Sequence, residues 1–242
     1  MAETQINYST GKLPANDMNL LQRVKGVIFS PGKTMESLVE KPRLLLPLII
    51  IAVAQLFLYL ARFSIYQDYM NKSLTDAFTG LGMTAESIDS FILIFGTVGT
   101  SLSALFGWFM TAVIFFAIFK IFGASGKFKQ YLSITGHAYI ITVLYFLLVL
   151  AASFITGSLH LDLSLTNVAN LLPVDISGSF IYGMVMEIDI FLIWYFCVIG
   201  IGMAAVSGFK KRNAYILVAA IYAVGLVMSG FGAIAAKAVT GG

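Results

Sequence analysis

Five long apolar runs dominate this sequence and restrict what the chain can fold into. The runs cover about residues 44–61, 91–119, 138–157, 180–206 and 214–236. A run of about 18 or more apolar residues with few charges is typical of a helix that crosses a lipid bilayer. Because only 11% of the residues are charged, the chain could not cover a soluble surface of this size. The sequence therefore predicts an all-α fold, a polytopic membrane helical bundle with five transmembrane helices.

The basic residues between the apolar runs indicate the orientation of the chain in the membrane. Residues 1–43 contain six Lys and Arg, and the segments 120–137 and 207–213 contain three each, so these three segments hold twelve of the 15 basic residues. The segments 62–90 and 158–179 hold two and none. Cytosolic segments of membrane proteins are enriched in Lys and Arg. We therefore predict an integral membrane protein whose N-terminus is cytosolic and whose C-terminus lies outside.

The region before the first apolar run divides into a tail and two short amphipathic helices. Residues 1–17 are polar and are predicted to be a disordered N-terminal tail. In residues 18–43, Leu21, Val24 and Ile28 recur on one helical face, and a Ser-Pro pair ends the first helix. We predict that this region forms cytosolic interfacial amphipathic helices. The alternative is a small cytosolic cap that packs on the bundle.

Residues 44–236 are predicted to form one five-helix transmembrane domain, followed by a short outer tail at 237–242. Small residues recur at intervals of four in three of the apolar runs, so each set lies on one helical face. The sets are Gly99, Ser103, Gly107 and Thr111; Gly200, Ala204 and Gly208; and Gly225, Ser229 and Ala233. Since small residues let membrane helices approach closely, we predict a compact bundle that packs through these faces.

Motifs of soluble enzymes are absent from the sequence. It contains no HExxH zinc motif, phosphate-binding loop or Rossmann glycine pattern. Its two histidines, His137 and His160, fall on opposite sides of the membrane in the five-span topology, so they are not expected to share a metal ion. Cys197 is the only cysteine, so no disulfide can form within the chain. We predict that the protein is not an enzyme, uses no cofactor or metal and binds no nucleic acid.

The fourth apolar run contains two acids, Glu187 and Asp189. On a continuous helix that enters the membrane near Phe180, they would lie about 10 and 13 Å deep. An acid near the bilayer centre costs on the order of 2.5–3.5 kcal/mol, so it usually faces the bundle interior, a partner or water. About 200° separates the two positions on a helix, so they could not share one face.

These acids define a candidate intramembrane polar site. Long cationic side chains at the outer ends of other runs could extend towards them, and polar residues of the first run share one helical face. The candidate residues are Asp189, Glu187, Arg62, Gln55, Tyr59, Lys237 and Trp194. Three interpretations are open: a buried polar cluster that fixes the register of the helices, a transport or ligand site, or two acids that lie near the lipid headgroups.

Two clusters of basic residues lie on the predicted cytosolic side. One consists of Lys120, Lys127 and Lys129, and the other of Lys210, Lys211 and Arg212. A basic residue near the membrane surface attracts anionic lipid headgroups by about 1 kcal/mol. Besides their effect on orientation, we predict headgroup contacts for Lys127, Lys129, Lys210, Lys211 and Arg212.

Four short pieces of the sequence resemble the Yip1 domain family of polytopic membrane proteins. They are VKGVIFSP at 24–31, Lys-Pro at 41–42, IDIFLIW at 188–194 and GIG at 200–202. Their order and spacing, together with the five apolar runs, extend the resemblance from about Leu20 to Gly232. Asp189 and Trp194 match the family's Asp and Trp at the head of the fourth run.

The resemblance implies five membrane helices, an N-terminus in the cytosol and a C-terminus outside. Eukaryotic members of the family work in early secretory traffic and associate with Rab-type GTPases and with one another. The chain has only about 43 residues before the membrane, fewer than the cytosolic domains of those members, which argues against small GTPase binding. The short form is similar to prokaryotic members, and a prokaryotic cell membrane is the expected location.

Two functions are compatible with these features. The leading interpretation is a non-enzymatic membrane-organising or adaptor protein of the Yip1 type, whose partners are the lipid bilayer and a second copy or other membrane proteins. The alternative is a small permease or channel for an ion, proton or lipid that uses Asp189 and Glu187. Access of water to Asp189 would favour the permease, whereas a dry Asp189 held by Arg62 or Lys237 would favour the organising role.

Overall fold

The computed structural model describes residues 18–67, 84–157 and 178–240, together with the single positions 80, 82, 164 and 176. Its helices are α1 (Leu20–Phe29), α2 (Pro31–Glu40), α3 (Leu45–Ala61), α4 (Ala85–Ile121), α5 (Phe128–Thr156), α6 (Phe180–Met186), α7 (Ile190–Ser207) and α8 (Lys211–Thr240). The predicted disordered tail at 1–17 lies outside the described residues, and so do His160 and the last two residues of the predicted outer tail.

Four of these helices are long and apolar enough to cross a membrane. The qualifying stretches are Glu86–Ile121, Phe128–Thr156, Ile190–Ser207 and Lys211–Val239. α3 is also apolar but shorter, with 17 residues. The prediction of an all-α membrane protein is confirmed for the described residues.

α5 begins at Phe128, well before the predicted start of the third apolar run at residue 138. Its first turns contain polar residues that hydrophobicity alone would place in a loop. Ser133, Thr135 and His137 are completely buried there, and α1 and α2 pack on α5. Thr135 donates to the backbone oxygen of Tyr131 (3.1 Å). Hydrogen bonds of this kind let short polar side chains remain inside a helix.

The two short helices before α3 fold onto the bundle. α1 begins with a capping box in which Asn19 and Gln22 each accept a bond from the other's backbone amide (2.9 Å). Val27, Met35 and Leu38 are completely buried, and α2 packs on α5 and α7. Other helices of the bundle therefore cover part of the apolar face of α1 and α2. The alternative prediction, a small cap that packs on the bundle, requires such contacts. Their position relative to the membrane stays a prediction.

A closely packed apolar core lies where α2, α4, α5 and α7 meet. Phe115, Phe119, Tyr131, Ile134 and Met203 are at most 1% exposed. The rings of Phe119 and Tyr131 meet edge to face, with centroids 6.2 Å apart, an arrangement that aromatic pairs favour. α5 contacts α1, α2, α3, α4 and α7 and is therefore the central helix of the described bundle.

The small-residue faces are used unequally. On α7, a Cβ added at Gly200 would lie 2.7 Å from the ring of Tyr215 on α8, so the two helices approach closely there. On α4, nothing lies within 4 Å of a Cβ added at Gly99 or Gly107. Within the described part of the chain, the prediction of close packing holds for Gly200 on α7 and for Ser229 and Ala233 on α8, and it is wrong for Gly99 and Gly107, which point outward from α4.

The predicted helix over the fourth apolar run is interrupted. α6 ends at Met186, and α7 begins at Ile190 after Asp189, whose backbone is extended (φ −126°, ψ 158°). The Asp189 carboxylate bonds amides of the following turn, which offers the backbone an alternative to a continuous helix. The prediction of one helix from 180 to 206 is therefore wrong, and the angle of about 200° between the two acids, which assumed that helix, no longer applies.

Candidate polar site at the break between α6 and α7

Asp189 is the N-cap of α7. Its Oδ1 atom accepts hydrogen bonds from the backbone N–H groups of Phe191 (2.7 Å) and Leu192 (2.9 Å). The first N–H groups of a helix have no partner within the helix, and a side chain that bonds them contributes about 0.5–2 kcal/mol. A carboxylate also interacts favourably with the positive end of the helix dipole. Asp189 therefore lets α7 begin inside an apolar stretch without leaving these amides unsatisfied.

Two side chains of α8 form hydrogen bonds with Glu187, at the C-terminal end of α6. The Tyr222 hydroxyl donates to the backbone oxygen of Glu187 (2.8 Å), and the Ser229 hydroxyl donates to its Oε1 atom (3.2 Å). Carbonyl groups at a helix end lack an intrahelical partner, so Tyr222 satisfies the end of α6 from a neighbouring helix. Both acids are thereby engaged by hydrogen bonds of the break itself, although the Glu187 side chain remains exposed.

A residue from the segment between α5 and α6 also reaches the break. Ser164 forms an isolated antiparallel β-bridge with Asp189 and is only 7% exposed. An extended residue presents its backbone groups sideways, where a neighbouring strand can pair with them. The bridge is possible because the helix is interrupted at Asp189, which is half-buried.

Close contact with α8 holds the short helix α6 in place. Gly183 faces the backbone of Ser229 and Gly230 and the methyl group of Ala233, and a Cβ added to it would overlap these atoms. The ring of Phe180 in turn lies against Gly230. Small residues permit such close approach between membrane helices. With only 7 residues, α6 thus depends on α8 for its position.

Three other candidate residues form a second group on α3 and at its C-terminal end. Gln55 donates from Nε2 to the Tyr139 hydroxyl on α5 (3.0 Å). The Tyr59 hydroxyl donates to the backbone oxygen of Ile92 on α4 (2.7 Å). Arg62, the C-cap of α3, is 8% exposed. The two hydrogen bonds join α3 to α5 and to α4.

Trp194 and Lys237 complete the candidate set. Trp194 packs beside Phe191 in the first turns of α7, with ring centroids 6.4 Å apart. The side-chain carbons of Lys237 lie against Gly178, just before α6. The structure therefore separates the seven candidate residues into a group on α6, α7 and α8 and a group on α3. Among the described residues neither acid forms an ion pair, and hydrogen bonds hold both carboxylates.

The sequence analysis did not identify Tyr222 and Ser229 as residues of the break, nor the role of Asp189 as a helix cap. The capping role of Asp189 had a signal, because an Asp directly before an apolar run is a common helix start. No local sequence signal marked Tyr222 and Ser229, because they lie 35 and 42 residues from Glu187 in the chain. Only the contact between α8 and the break brings them together.

His137 is a buried polar residue on α5. Its Nδ1 atom lies 2.8 Å from the backbone oxygen of Ser133, and its buried Nε2 atom has no hydrogen-bond partner among the described residues. Those residues also contain no group of three or more His, Cys, Asp or Glu side chains that could hold a metal ion. The prediction that His137 and His160 do not share a metal stays untested, because His160 lies outside the described part.

The predicted lipid contacts fall at the starts of two helices. Lys127 and Lys129 lie at the beginning of α5, and Lys210, Lys211 and Arg212 lie at the beginning of α8. All five side chains are exposed. Their contact with lipid headgroups stays a prediction.

Long apolar helices packed around a central helix define a polytopic α-helical protein that is integral to the membrane. The model of the Yip1 domain matches residues 25–234, and the chain belongs to that family, as the sequence resemblance indicated. The chain is similar to "Membrane protein YknW" of Bacillus subtilis (strain 168), with 26% identity over 209 residues that cover 85% of this chain and 87% of the relative. No solved structure matches the chain significantly.

Proposed function

We propose that this chain is a non-enzymatic membrane-organising or adaptor protein of the Yip1 type. The observation that carries the proposal is the outward face of α4, where Gly99, Ser103 and Gly107 are exposed. Small-residue faces are typical contact surfaces between membrane helices, because they let backbones approach closely. An adaptor needs a surface of this kind for a second copy or for another membrane protein.

The two acids of the fourth run support the same proposal. A transport site would need a carboxylate that exchanges its partners with an ion, a proton or water. Asp189 instead bonds two backbone amides of α7, and Glu187 accepts a bond from Ser229 on α8. The bonds of Asp189 cap the start of α7, and the bond of Glu187 joins the break to α8. Both acids therefore have a structural role.

Cross-linking in the native membrane tests the proposed contact surface. In a Cys197→Ala background, Ser103→Cys places a thiol on the outward face of α4, and Val98→Cys places one on the same helix about 140° away. Val98 is 52% exposed and serves as a matched control. We expect a bifunctional thiol reagent to give discrete higher-mass adducts at position 103 and few at position 98. Equal yields at the two positions would contradict the proposal.

The proposal also includes the topology of the chain. We propose that α3 is a fifth crossing, because its 17 residues span about 26 Å, close to the thickness of the hydrocarbon core. With the N-terminus in the cytosol and the C-terminus outside, α1 and α2 would lie at the cytosolic interface. The exposed apolar side chains of Leu20, Leu21 and Phe29 suit that position. The match to a Bacillus relative supports a prokaryotic cell membrane as the location.

One observation favours the rival function, a small permease or channel. Helices interrupted within the membrane build the binding sites of many transporters, and Glu187 is exposed at such an interruption. Proton and cation fluxes into proteoliposomes test this rival directly. We expect no flux above that of protein-free vesicles. A flux that is lost in Glu187→Gln or Asp189→Asn would establish the permease instead.

A further inference from the structure

A basic cleft opens where α1, the connection from α2 to α3 and the start of α5 meet, and its volume is about 370 Å³. Its charged lining residues among the described part of the chain are Arg23, Arg43 and Lys129. Each of the three comes from a different element, so the fold brings together charges that are far apart in the sequence. Lys129 was the only one of them singled out from the sequence.

Hydrogen bonds to α5 fix the frame of this cleft. The Arg43 backbone N–H donates to Ser133 Oγ (3.1 Å), and that hydroxyl donates to the Arg43 backbone oxygen (2.9 Å). Gln130 donates from Nε2 to the backbone oxygen of Val39 (2.7 Å). Lys129 precedes Ser133 by one helical turn on the same face of α5. The connection that carries Arg43 is thus held beside Lys129.

Apolar side chains form the remaining wall of the cleft. Leu20, Leu45 and Ile49 line it, and they are 60%, 71% and 47% exposed. Leu45 and Ile49 lie one turn apart at the start of the apolar helix α3. A surface that combines basic groups with exposed apolar groups suits the boundary between lipid headgroups and acyl chains.

We propose that this cleft binds the phosphate group of an anionic membrane phospholipid. Arginine and lysine side chains bind phosphate oxygens with charge-assisted hydrogen bonds. The apolar wall along α3 accommodates the beginning of an acyl chain, which a free phosphate lacks. This inference goes beyond the proposed function and does not depend on it, because a lipid bound here would fix α1 and α2 at the membrane in an adaptor or a permease.

Native mass spectrometry of the detergent-purified full chain, titrated with phosphatidylglycerol, tests the proposal. The variant R23Q/R43Q/K129Q removes the charges and keeps the backbone bonds of Arg43. The matched control K25Q/K33Q/K120Q removes the charges of three exposed lysines that do not line the cleft. We expect the affinity for the first bound lipid to fall by about tenfold or more in the cleft variant. In the control we expect a change of less than about threefold. Equal losses in the two variants would overturn the proposal.

A measurement with a soluble phosphate distinguishes a membrane lipid from a free phosphate as the ligand of the cleft. Soluble glycerol phosphate, which has the headgroup chemistry without acyl chains, should bind at least about tenfold more weakly than the lipid. Equal binding would overturn the assignment to a membrane lipid.

If the triple variant does not fold, the single variant K129Q, at an exposed position on α5, should still weaken phosphatidylglycerol binding by about threefold to fivefold. Unchanged binding by a folded K129Q would also count against the cleft.

Discussion

Asp189 shows how one carboxylate is accommodated in an apolar segment. Its Oδ1 atom bonds the amides of Phe191 and Leu192, so it interacts with the α7 backbone without a cationic side chain. An acid held by a cation depends on its charge, because removing one partner of a buried ion pair costs roughly 3–5 kcal/mol. An N-cap depends mainly on an acceptor oxygen, and Asn caps a helix about as well as Asp. The two roles therefore differ in their response to neutralisation.

Asp189→Asn and Asp189→Ala together distinguish these roles. For the N-cap, we expect Asn to leave the free energy of unfolding within about 0.5 kcal/mol and Ala to lower it by about 1 kcal/mol. Thermal unfolding of the purified variants in one detergent would measure both changes. If Asn destabilised the protein as strongly as a broken ion pair, a cation partner of Asp189 would have to be sought.

At the scale of elements, α6 and α8 are in close contact next to the site. The Gly183 backbone lies directly against the backbone of α8 at Ser229 and Gly230. A contact between two backbones cannot yield by rotation of a flexible side chain, so it responds strongly to an added methyl group. This contact also positions the carbonyl of Glu187 for its bond from Tyr222.

Gly183→Ala should therefore destabilise the protein by about 1–3 kcal/mol through overpacking. Gly232→Ala on α8 is the matched control, because nothing lies within 4 Å of a Cβ added there. Alanine favours a helix over glycine by up to about 1 kcal/mol, so the control should be neutral or stabilising. Thermal unfolding of both variants in the same detergent checks the difference, and equal losses would contradict the close contact.

At the scale of the whole molecule, the distribution of charge sets the expected orientation. Lys127 and Lys211 lie at the beginnings of α5 and α8, at positions where both side chains are exposed. α7 and α8 run in opposite directions across the bundle, because the short connection from Ser207 to Lys211 joins their ends. If α3 is a crossing, the beginnings of α5 and α8 fall on the side of the N-terminus.

Single-cysteine labelling in the Cys197→Ala background tests this orientation. We expect cysteines at Lys127 and Lys211 to react with a membrane-impermeant maleimide only after the membrane is opened. Cysteines at Asp76, Asp162 and Gly242, which lie outside the described residues, should react in intact cells. Labelling of position 127 or 211 in intact cells would contradict the five-span topology.

The sequence alone determined the class of protein and the position of most of its helices. The length of the apolar runs requires a membrane, and a backbone in lipid must satisfy its own hydrogen bonds, which favours helices. The Ser-Pro pair that ends the first short helix is a local signal, and in the structure α1 ends at Phe29 and α2 begins at Pro31. The membrane class and the family were predictable because they depend on composition, run length and local motifs.

Only the tertiary structure decided which faces meet and where the fourth run breaks. Lipid tails are as apolar as a leucine side chain, so hydrophobicity does not separate a helix face that packs, such as Gly183 on α6, from one that points outward, such as Gly107 on α4. Tyr222 and Ser229 bond Glu187 across 35 and 42 residues. The cleft of Arg23, Arg43 and Lys129 likewise joins three separate elements. Such contacts leave no local pattern, because they depend on how whole helices approach one another.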